Sequence, residues 1–368
     1  PEVAIENVAA EKNSVLSVSA KSAYLVDFET GTVIFEKNAN QKLPIASMSK
    51  IMTVLLTFEA IDSGKMKMED MVTVSAEAAG MGGSQVFLDA NSQHKLADIL
   101  KAVVVASAND GAVALSEHLS GSEIAFVNLM NKRASELGMK NTHFSNCTGL
   151  PAPENFSCAK DVSIMTRELV KHNDYFKFSR IWLEDYAHPD GRKTTITNTN
   201  KLVRFYKGCD GGKTGFTNEA KFCVSATAVR KDMRIVAVVI GEENSKVRFA
   251  DASKMLNYAF ANYQNKVLLA NDTEIENSVE VLRGKTTKAK IVAERNICAF
   301  QKSGDEAKWE LKYEFSQTIT APLSKGDVVG KIYVLKDNKV VDEVSAVLAE
   351  DIKKATFLDD IKRIVGEW

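Results

Sequence analysis

Phe222-Cys223-Val224-Ser225-Ala226-Thr227-Ala228-Val229 and Met233-Arg234-Ile235-Val236-Ala237-Val238-Val239-Ile240-Gly241 are two β-rich runs separated by Arg230-Lys231-Asp232. Strands joined by so short a polar turn must pair antiparallel, because a parallel pair needs a crossover of a dozen residues or more. The second run is apolar without interruption from Ile235 to Ile240, which suits a strand covered on both faces. Something must do the covering. Residues 245–263 read as a helix directly afterwards, and near the start of the chain Ala23-Tyr24-Leu25-Val26 and Thr32-Val33-Ile34-Phe35 flank the turn signal Glu29-Thr30-Gly31 as a hairpin. Between these ends, Ile45, Met48, Ile51, Met52, Leu55 and Leu56 recur at helical spacing behind Pro44, and Leu96–Ala106, Gly111–Leu119, Ile124–Leu137 and Val162–His172 continue in the same manner. The ends supply strands and the middle, about 65–200, supplies helices. The expected fold class is α/β: an antiparallel sheet covered by helices, with a helical insertion.

From about 265 the texture changes to short alternating stretches, among them Val279-Glu280-Val281, Lys290-Ile291-Val292, Trp309–Phe315 and Lys331-Ile332-Tyr333-Val334. These predict a small all-β C-terminal domain. The expected organisation is a catalytic domain over 1–264, a β-rich domain over 265–356 and an amphipathic segment over 357–368. In that last segment Phe357, Leu358, Ile361, Ile364, Val365 and Trp368 form an apolar stripe. Twelve residues make roughly 18 Å of helix, too short to span a bilayer; the stripe fits a helix packed on the β domain or, in a longer tail, one lying in a membrane surface.

The 368 residues carry 47 Lys+Arg against 48 Asp+Glu, a net charge of −1, which offers no basic footprint for nucleic acid. No apolar run reaches the roughly 18 residues of a membrane span. The chain opens at Pro1 with no basic-then-apolar leader, so any signal peptide is expected to have been removed already. Five cysteines (147, 158, 209, 223, 298) form no CxxC, and an odd count favours a reducing compartment. The five histidines are scattered without HExxH or a pair at ligand spacing; surface or capping roles are expected, with no metal and no cofactor.

The chemistry therefore has to do without histidine. Ser47-Met48-Ser49-Lys50 lies at the start of an apolar helix, where a spacing of three sets Ser47 and Lys50 side by side. Apolar surroundings disfavour an ammonium, so Lys50 can be neutral enough to take a proton from Ser47, and the helix N-terminus favours a developing alkoxide. SxxK recurs at Ser92–Lys95 and Ser157–Lys160, in polar or turn-like settings, so the motif alone equally fits a capping serine. Ser107-Ala108-Asn109, the chain's single SxN, falls between two helices; a loop there presents both side chains, or else one of them simply caps the next helix. Lys213-Thr214-Gly215 follows Gly211-Gly212 just before the sheet strands, and suits a carboxylate-binding edge that another chain can approach. A P-loop is excluded: its first glycine would fall at Lys207, and strands follow instead of a helix.

Taken in order, the three motifs resemble those of the penicillin-binding proteins and class A β-lactamases. More closely, the chain resembles the low-molecular-mass penicillin-binding proteins that are serine-type D-alanyl-D-alanine carboxypeptidases. That resemblance extends over Glu29-Thr30-Gly31, Lys42–Lys50, Leu137–Phe144, Val247-Arg248-Phe249 and the C-terminal β domain. It implies a β-lactamase/transpeptidase-like fold and removal of the terminal D-alanine from peptidoglycan stems. It further implies acylation by β-lactams and export to the outer face of the cytoplasmic membrane or cell wall. It also implies roles. Ser47 would be the nucleophile, Lys50 its base, and Ser107 the relay to the leaving amine. Asn109 would hold the substrate peptide; Lys213 would sit close enough to Lys50 to help keep one lysine neutral; Thr214 and Arg248 would hold the terminal carboxylate, with Gly215 also at the substrate; and the backbone N–H groups of Ser47 and Phe216 would form the oxyanion hole. Gly82–Phe87 resembles the loop bordering the cleft. Two alternatives stay open: a β-lactamase, although no Glu between 117 and 184 has the Asn four residues on that class A deacylation uses, and a penicillin sensor that acylates without turning peptides over.

Overall fold

The structure is a computed structural model that describes residues 16–277, 279–357 and 359. The chain divides into two compact units, with the change at Asn262.

The first unit is built on a five-stranded sheet in the order Val33–Lys37, Ser22–Asp27, Met233–Glu242, Lys221–Arg230, Cys209–Thr217, every neighbouring pair antiparallel. The hairpin across 230–233 pairs Arg230 with Met233, and the register runs on to Val224 opposite Val239. Ile235 to Ile240 are fully buried, as an unbroken apolar run requires. At about 1.5–3 kcal/mol for each large apolar side chain withdrawn from water, this strand is a main source of the sheet's stability. It is central because it can afford no solvent-facing side. Cys209–Thr217, with three glycines and the Lys213-Thr214-Gly215 motif, lies at the edge.

Helix Lys50–Asp62 is buried on nearly every side from Lys50 to Phe58, the behaviour of a helix that is apolar all round. It packs on the helices Ala159–Leu169 and Asn109–Ser120, and the former packs in turn on the central strand. One 3₁₀ turn, Ala46–Ser49, precedes it and packs against the edge strand Cys209–Thr217. The insertion is less uniformly helical than its periodicity suggests. Met71–Thr73 pairs with Gln93–Lys95, and Leu183–Ala187 pairs with Lys193–Thr197. Each strand buries a single side chain (Val72, His94, Tyr186, Ile196), too short an alternation to read against the helices around it. The expectation for the histidines also fails in part. His94 and His188 are buried beside Tyr186, with His94 Nδ1 2.8 Å from the Tyr186 hydroxyl and His188 Nε2 2.9 Å from Thr194 Oγ1.

In the second unit an antiparallel sheet runs Ile291–Ala293, Lys339–Leu348, Val328–Lys336, Trp309–Phe315, accompanied by the pairs Tyr263–Leu269 with Ile297–Lys302 and Glu280–Leu282 with Thr318–Thr320. Its own core includes Ile291, Ile332, Val334 and Ala346. The strands Tyr263–Leu269 and Lys339–Leu348 are absent from the sequence reading, since polar residues interrupt both. The amphipathic segment expected over 357–368 lies, apart from Phe357 and Asp359, outside the described residues. Among the described residues no helix is long and apolar enough to cross a membrane.

Candidate active site

The three motifs, up to 166 positions apart in sequence, converge where the 3₁₀ turn meets the edge strand. Two glycines make that contact possible. A Cβ on Gly215 would stand 2.4 Å from the Ile45 carbonyl, and one on Gly149 would stand 1.9 Å from the Ala46 carbonyl and 3.0 Å from the Ser47 nitrogen. Gly149 also has φ of +79°, a region only glycine enters freely. Gly215 thus admits the chain that carries Ser47.

Lys50 is fully buried and its Nζ has three neighbours: Asn109 Oδ1 at 2.5 Å, the Thr148 carbonyl at 2.6 Å and Ser47 Oγ at 3.1 Å. A carbonyl oxygen can only accept, and the Asn109 amide is oriented by Nδ2 donating to the Gly82 carbonyl at 2.6 Å. Two of the three directions around Nζ therefore require N–H bonds. A neutral amine has two N–H bonds and one lone pair, which leaves the lone pair for the Ser47 hydroxyl. Burial pushes the Lys50 amine down to about 7 from the ordinary 10.5, so the neutral form is accessible. Ser47 is half-buried and reachable from the cleft.

Ser107 terminates the helix Leu96–Ala106 with φ of +64°, a left-handed conformation rare for a serine. That twist aims Oγ at Lys213, whose Nζ donates to it at 2.8 Å and to the Thr214 carbonyl at 3.1 Å. Neither Ser107 nor Asn109 caps the following helix: the cap position is Ala108, with no side-chain bond. The capping alternative is thereby removed. Lys213 is held well below its ordinary value, by burial first, then by the charges of Lys50 and Arg248. Arg248 is buried rather than solvated. Its Nη1 donates to the Gly215 and Cys223 carbonyls at 3.2 and 3.1 Å and its Nη2 to Ser245 Oγ at 3.1 Å, while its buried Nε has no partner. Burial lowers it to about 10. Phe216 follows on the same strand, half-exposed, its ring 4.3 Å from that of Phe222.

Asn109 is held at both ends of its amide, Oδ1 accepting from Lys50 and Nδ2 donating to the Gly82 carbonyl, which leaves one N–H and one lone pair of the amide uncommitted by these two bonds. Asp110, which the sequence reading passed over, is fully buried and accepts from the backbone N–H groups of Val86, Leu88 and Gly111, while the Asn109 N–H donates to the Ser84 carbonyl at 2.7 Å. From the other side Arg192 Nη2 donates to the Phe87 carbonyl at 3.0 Å. The loop 82–88 is thus tied into the cleft wall. An acidic residue directly after SxN in the first turn of an apolar helix was the available signal. Thr148 also escaped notice, since it contributes through its backbone. The additional SxxK serines, Ser92 and Ser157, bond instead to the Asp89 carbonyl and His94, and to Thr142. All five cysteines are buried and none is in a disulfide, and among the described residues no group of three His, Cys, Asp or Glu side chains is arranged for a metal.

Comparison with known proteins gives the class to which this fold and site belong. The family of D-alanyl-D-alanine carboxypeptidases matches residues 7–244, and the C-terminal domain of penicillin-binding protein 5 matches residues 263–354. The chain is 42% identical over 362 residues to the Bacillus subtilis D-alanyl-D-alanine carboxypeptidase DacF, covering 97% of this chain and 92% of that one. It is 31% identical to the Escherichia coli enzyme DacC, covering 93% and 86%. Among solved structures, penicillin-binding protein 5 from Haemophilus influenzae superposes with a TM-score of 0.72 at 30% identity, covering 92% of this chain and 98% of that one. The chain belongs to the serine-type D-alanyl-D-alanine carboxypeptidase family.

Proposed function

We propose that this chain removes the terminal D-alanine from peptidoglycan stem peptides through an acyl-enzyme on Ser47, and that β-lactams acylate the same serine. The observation that carries the reading is the buried Lys50, whose two carbonyl partners leave its lone pair for Ser47 Oγ at 3.1 Å. Neutral Lys50 takes the hydroxyl proton as Oγ attacks the carbonyl of the penultimate D-alanine. The oxyanion forms against the backbone N–H groups of Ser47 and Phe216. Ser107 Oγ gives its proton to the nitrogen of the departing D-alanine and takes one from Lys213 Nζ, 2.8 Å away, while Thr214 and the Arg248 charge receive the carboxylate. Water then attacks the acyl carbon, its proton returning through Ser107 to Lys213 as Lys50 gives its proton back to Ser47 Oγ, and the shortened stem leaves.

A β-lactamase is the less favoured alternative. The buried carboxylate next to the motifs, Asp110, is committed to three backbone N–H groups, and deacylation assisted by a carboxylate has no candidate in the sequence pattern. Stems ending in D-Ala-D-Ala occur outside the bacterial cytoplasmic membrane, so the reading carries the enzyme there, with its thiols reduced and buried as small hydrophobes. Mass spectrometry after exposure to benzylpenicillin, together with assay of D-alanine released from a D-Ala-D-Ala peptide, tests the proposal. The wild type should gain one penicilloyl group on Ser47 and release D-alanine; Ser47→Ala should do neither while keeping its fold. Labelling that survives the substitution removes Ser47 from the role, and labelling without D-alanine release makes the protein a sensor.

A further inference from the structure

The short helix Leu202–Phe205 and the residue before the strand Leu183–Ala187 bring two aromatic rings together at the surface. Phe205 is 70% exposed, and its ring stands edge-on to that of the half-buried Trp182, with centroids 5.6 Å apart. The Arg204 guanidinium lies 5.6 Å from the Trp182 ring and 5.9 Å from the Phe205 ring. Lys201, Arg204 and Lys207 are exposed on this same stretch, and among the described residues none of them has a carboxylate partner. The next carboxylate along the chain, Asp210, is buried and held by Arg234 at 2.8 Å and Arg180 at 3.3 Å. A chain of net charge −1 thus gathers uncompensated cations around an uncovered ring pair. One exposed apolar side chain is ordinary, but aromatic rings combined with arginine mark surfaces that meet a partner.

Backbone bonds tie this surface to two of the motifs. The Asn198 N–H donates to the Trp182 carbonyl at 2.8 Å, and the Thr199 N–H donates to the Val105 carbonyl at 3.1 Å, just before Ser107. Asn200 Nδ2 donates to the Gly211 carbonyl at 3.1 Å, just before Lys213. The segment 198–200 therefore joins the ring pair to Ser107-Ala108-Asn109 and Lys213-Thr214-Gly215. That path is comparable to the reach of a stem peptide of five residues, about 17 Å when extended. A stem bound at Ser47 hangs from a strand of amino sugars, and the other stems on that strand carry free carboxylates. The C–H faces of pyranose rings are apolar and stack on aromatic side chains, while the carboxylates complement Lys201, Arg204 and Lys207.

We propose that Trp182 and Phe205, with Lys201, Arg204 and Lys207, form a docking surface for the glycan strand of peptidoglycan, the rings meeting sugar faces and the cations meeting the carboxylates of neighbouring stems. The identity of the polymer rests on the carboxypeptidase reading above. The surface raises the local concentration of stems presented on a strand and leaves the chemistry at Ser47 unchanged.

Purified peptidoglycan and a short peptide, Nα,Nε-diacetyl-L-lysyl-D-alanyl-D-alanine, separate docking from chemistry. Sedimentation with the polymer is read in Ser47→Ala, so that the polymer stays intact, with and without Phe205→Ser or Lys201→Gln/Arg204→Gln/Lys207→Gln. These side chains are exposed, so the fold is not at stake. Each change should weaken binding about fivefold to tenfold, and binding by the parent should weaken with added salt. With Ser47 in place, D-alanine release from the polymer should fall by a similar factor, while kcat/KM for the short peptide stays within about twofold. Unchanged sedimentation in both variants, or an equal loss on the short peptide, overturns the docking surface. Binding to vesicles of anionic phospholipid that these substitutions abolish, with peptidoglycan binding retained, assigns the surface to a membrane and overturns the proposal equally. Failure of the wild type to release D-alanine from the short peptide overturns the carboxypeptidase reading, and sedimentation still decides the surface.

Discussion

The protonation of Lys50 should be visible in the pH dependence of acylation. The amine moves from 10.5 to about 7 because it is fully buried, and the neighbouring Cys147 and Asp110 act in the opposite direction without cancelling the effect of burial. At 1.36 kcal/mol per tenfold change in protonation, this amounts to about 5 kcal/mol in favour of the neutral form. An unperturbed lysine would be neutral in about one molecule in 3,000 at pH 7, whereas here about half the molecules have a competent base. Below pH 6 the competent fraction falls tenfold per pH unit, to about one in a hundred at pH 5. The second-order rate constant for acylation by a fluorescent penicillin, followed by stopped flow at constant ionic strength, should therefore rise with unit logarithmic slope from pH 5, reach half its plateau near 7 and flatten by about 8. A descending limb at higher pH would report the loss of the proton on Lys213, itself held low by burial and by Lys50. A rate constant unchanged between pH 5 and 8, or one still climbing toward pH 10, would refute Lys50 as the base.

Two further expectations follow from the same geometry. Because Lys50 has a folded-state value below its unfolded one, the unfolded chain binds the extra proton between about pH 7 and 10.5, and the native state gains stability as pH rises through that window. Relative to Lys50→Met, the wild type should gain about 2 kcal/mol of unfolding free energy between pH 7 and 9 in urea titrations; a constant difference would mean that Lys50 titrates normally. Gly149→Ala should displace the turn bearing Ser47, because the new Cβ meets the Ala46 carbonyl at 1.9 Å, and acylation should drop a hundredfold or more. Gly138→Ala, at φ +73° but with open space around its Cβ, should cost stability alone, and equal acylation losses in the two variants would separate Gly149 from the site.

Much of the sheet was legible because its signal is local. Ile235–Ile240 is buried on both faces, and the two-residue turn Lys231-Asp232 before its strand leaves one pairing geometry. The ribbon Met71–Thr73 with Gln93–Lys95 was not legible, because its partners lie some twenty residues apart and each strand turns a single side chain inward. Tyr263–Leu269 and Lys339–Leu348 were missed for a related reason: Asn265, Lys266, Asp342 and Glu343 break the alternation that marks a strand.

The site divides along the line between side-chain identity and backbone position. Ser47, Lys50, Ser107 and Lys213 could be singled out in the sequence because the proposed chemistry calls for those side chains, and SxxK on a helix start brings two of them together by spacing alone. What tunes them is backbone. The Thr148 carbonyl accepts from Lys50, the Gly82 carbonyl fixes the Asn109 amide, and the Gly215 and Cys223 carbonyls hold Arg248. Any residue could supply those oxygens, so composition carries no trace of them. Gly149 and Gly215 are the exception, because close approach excludes a Cβ; each marks a place where the edge strand or the 146–150 loop presses on the turn holding Ser47. The same pressing excludes water from Lys50, and that exclusion converts an ordinary lysine into a base near neutrality. On the proposed reading, packing at two glycines and proton transfer at Ser47 are one design, and a variant that loosens the first should raise the pH at which acylation reaches its plateau.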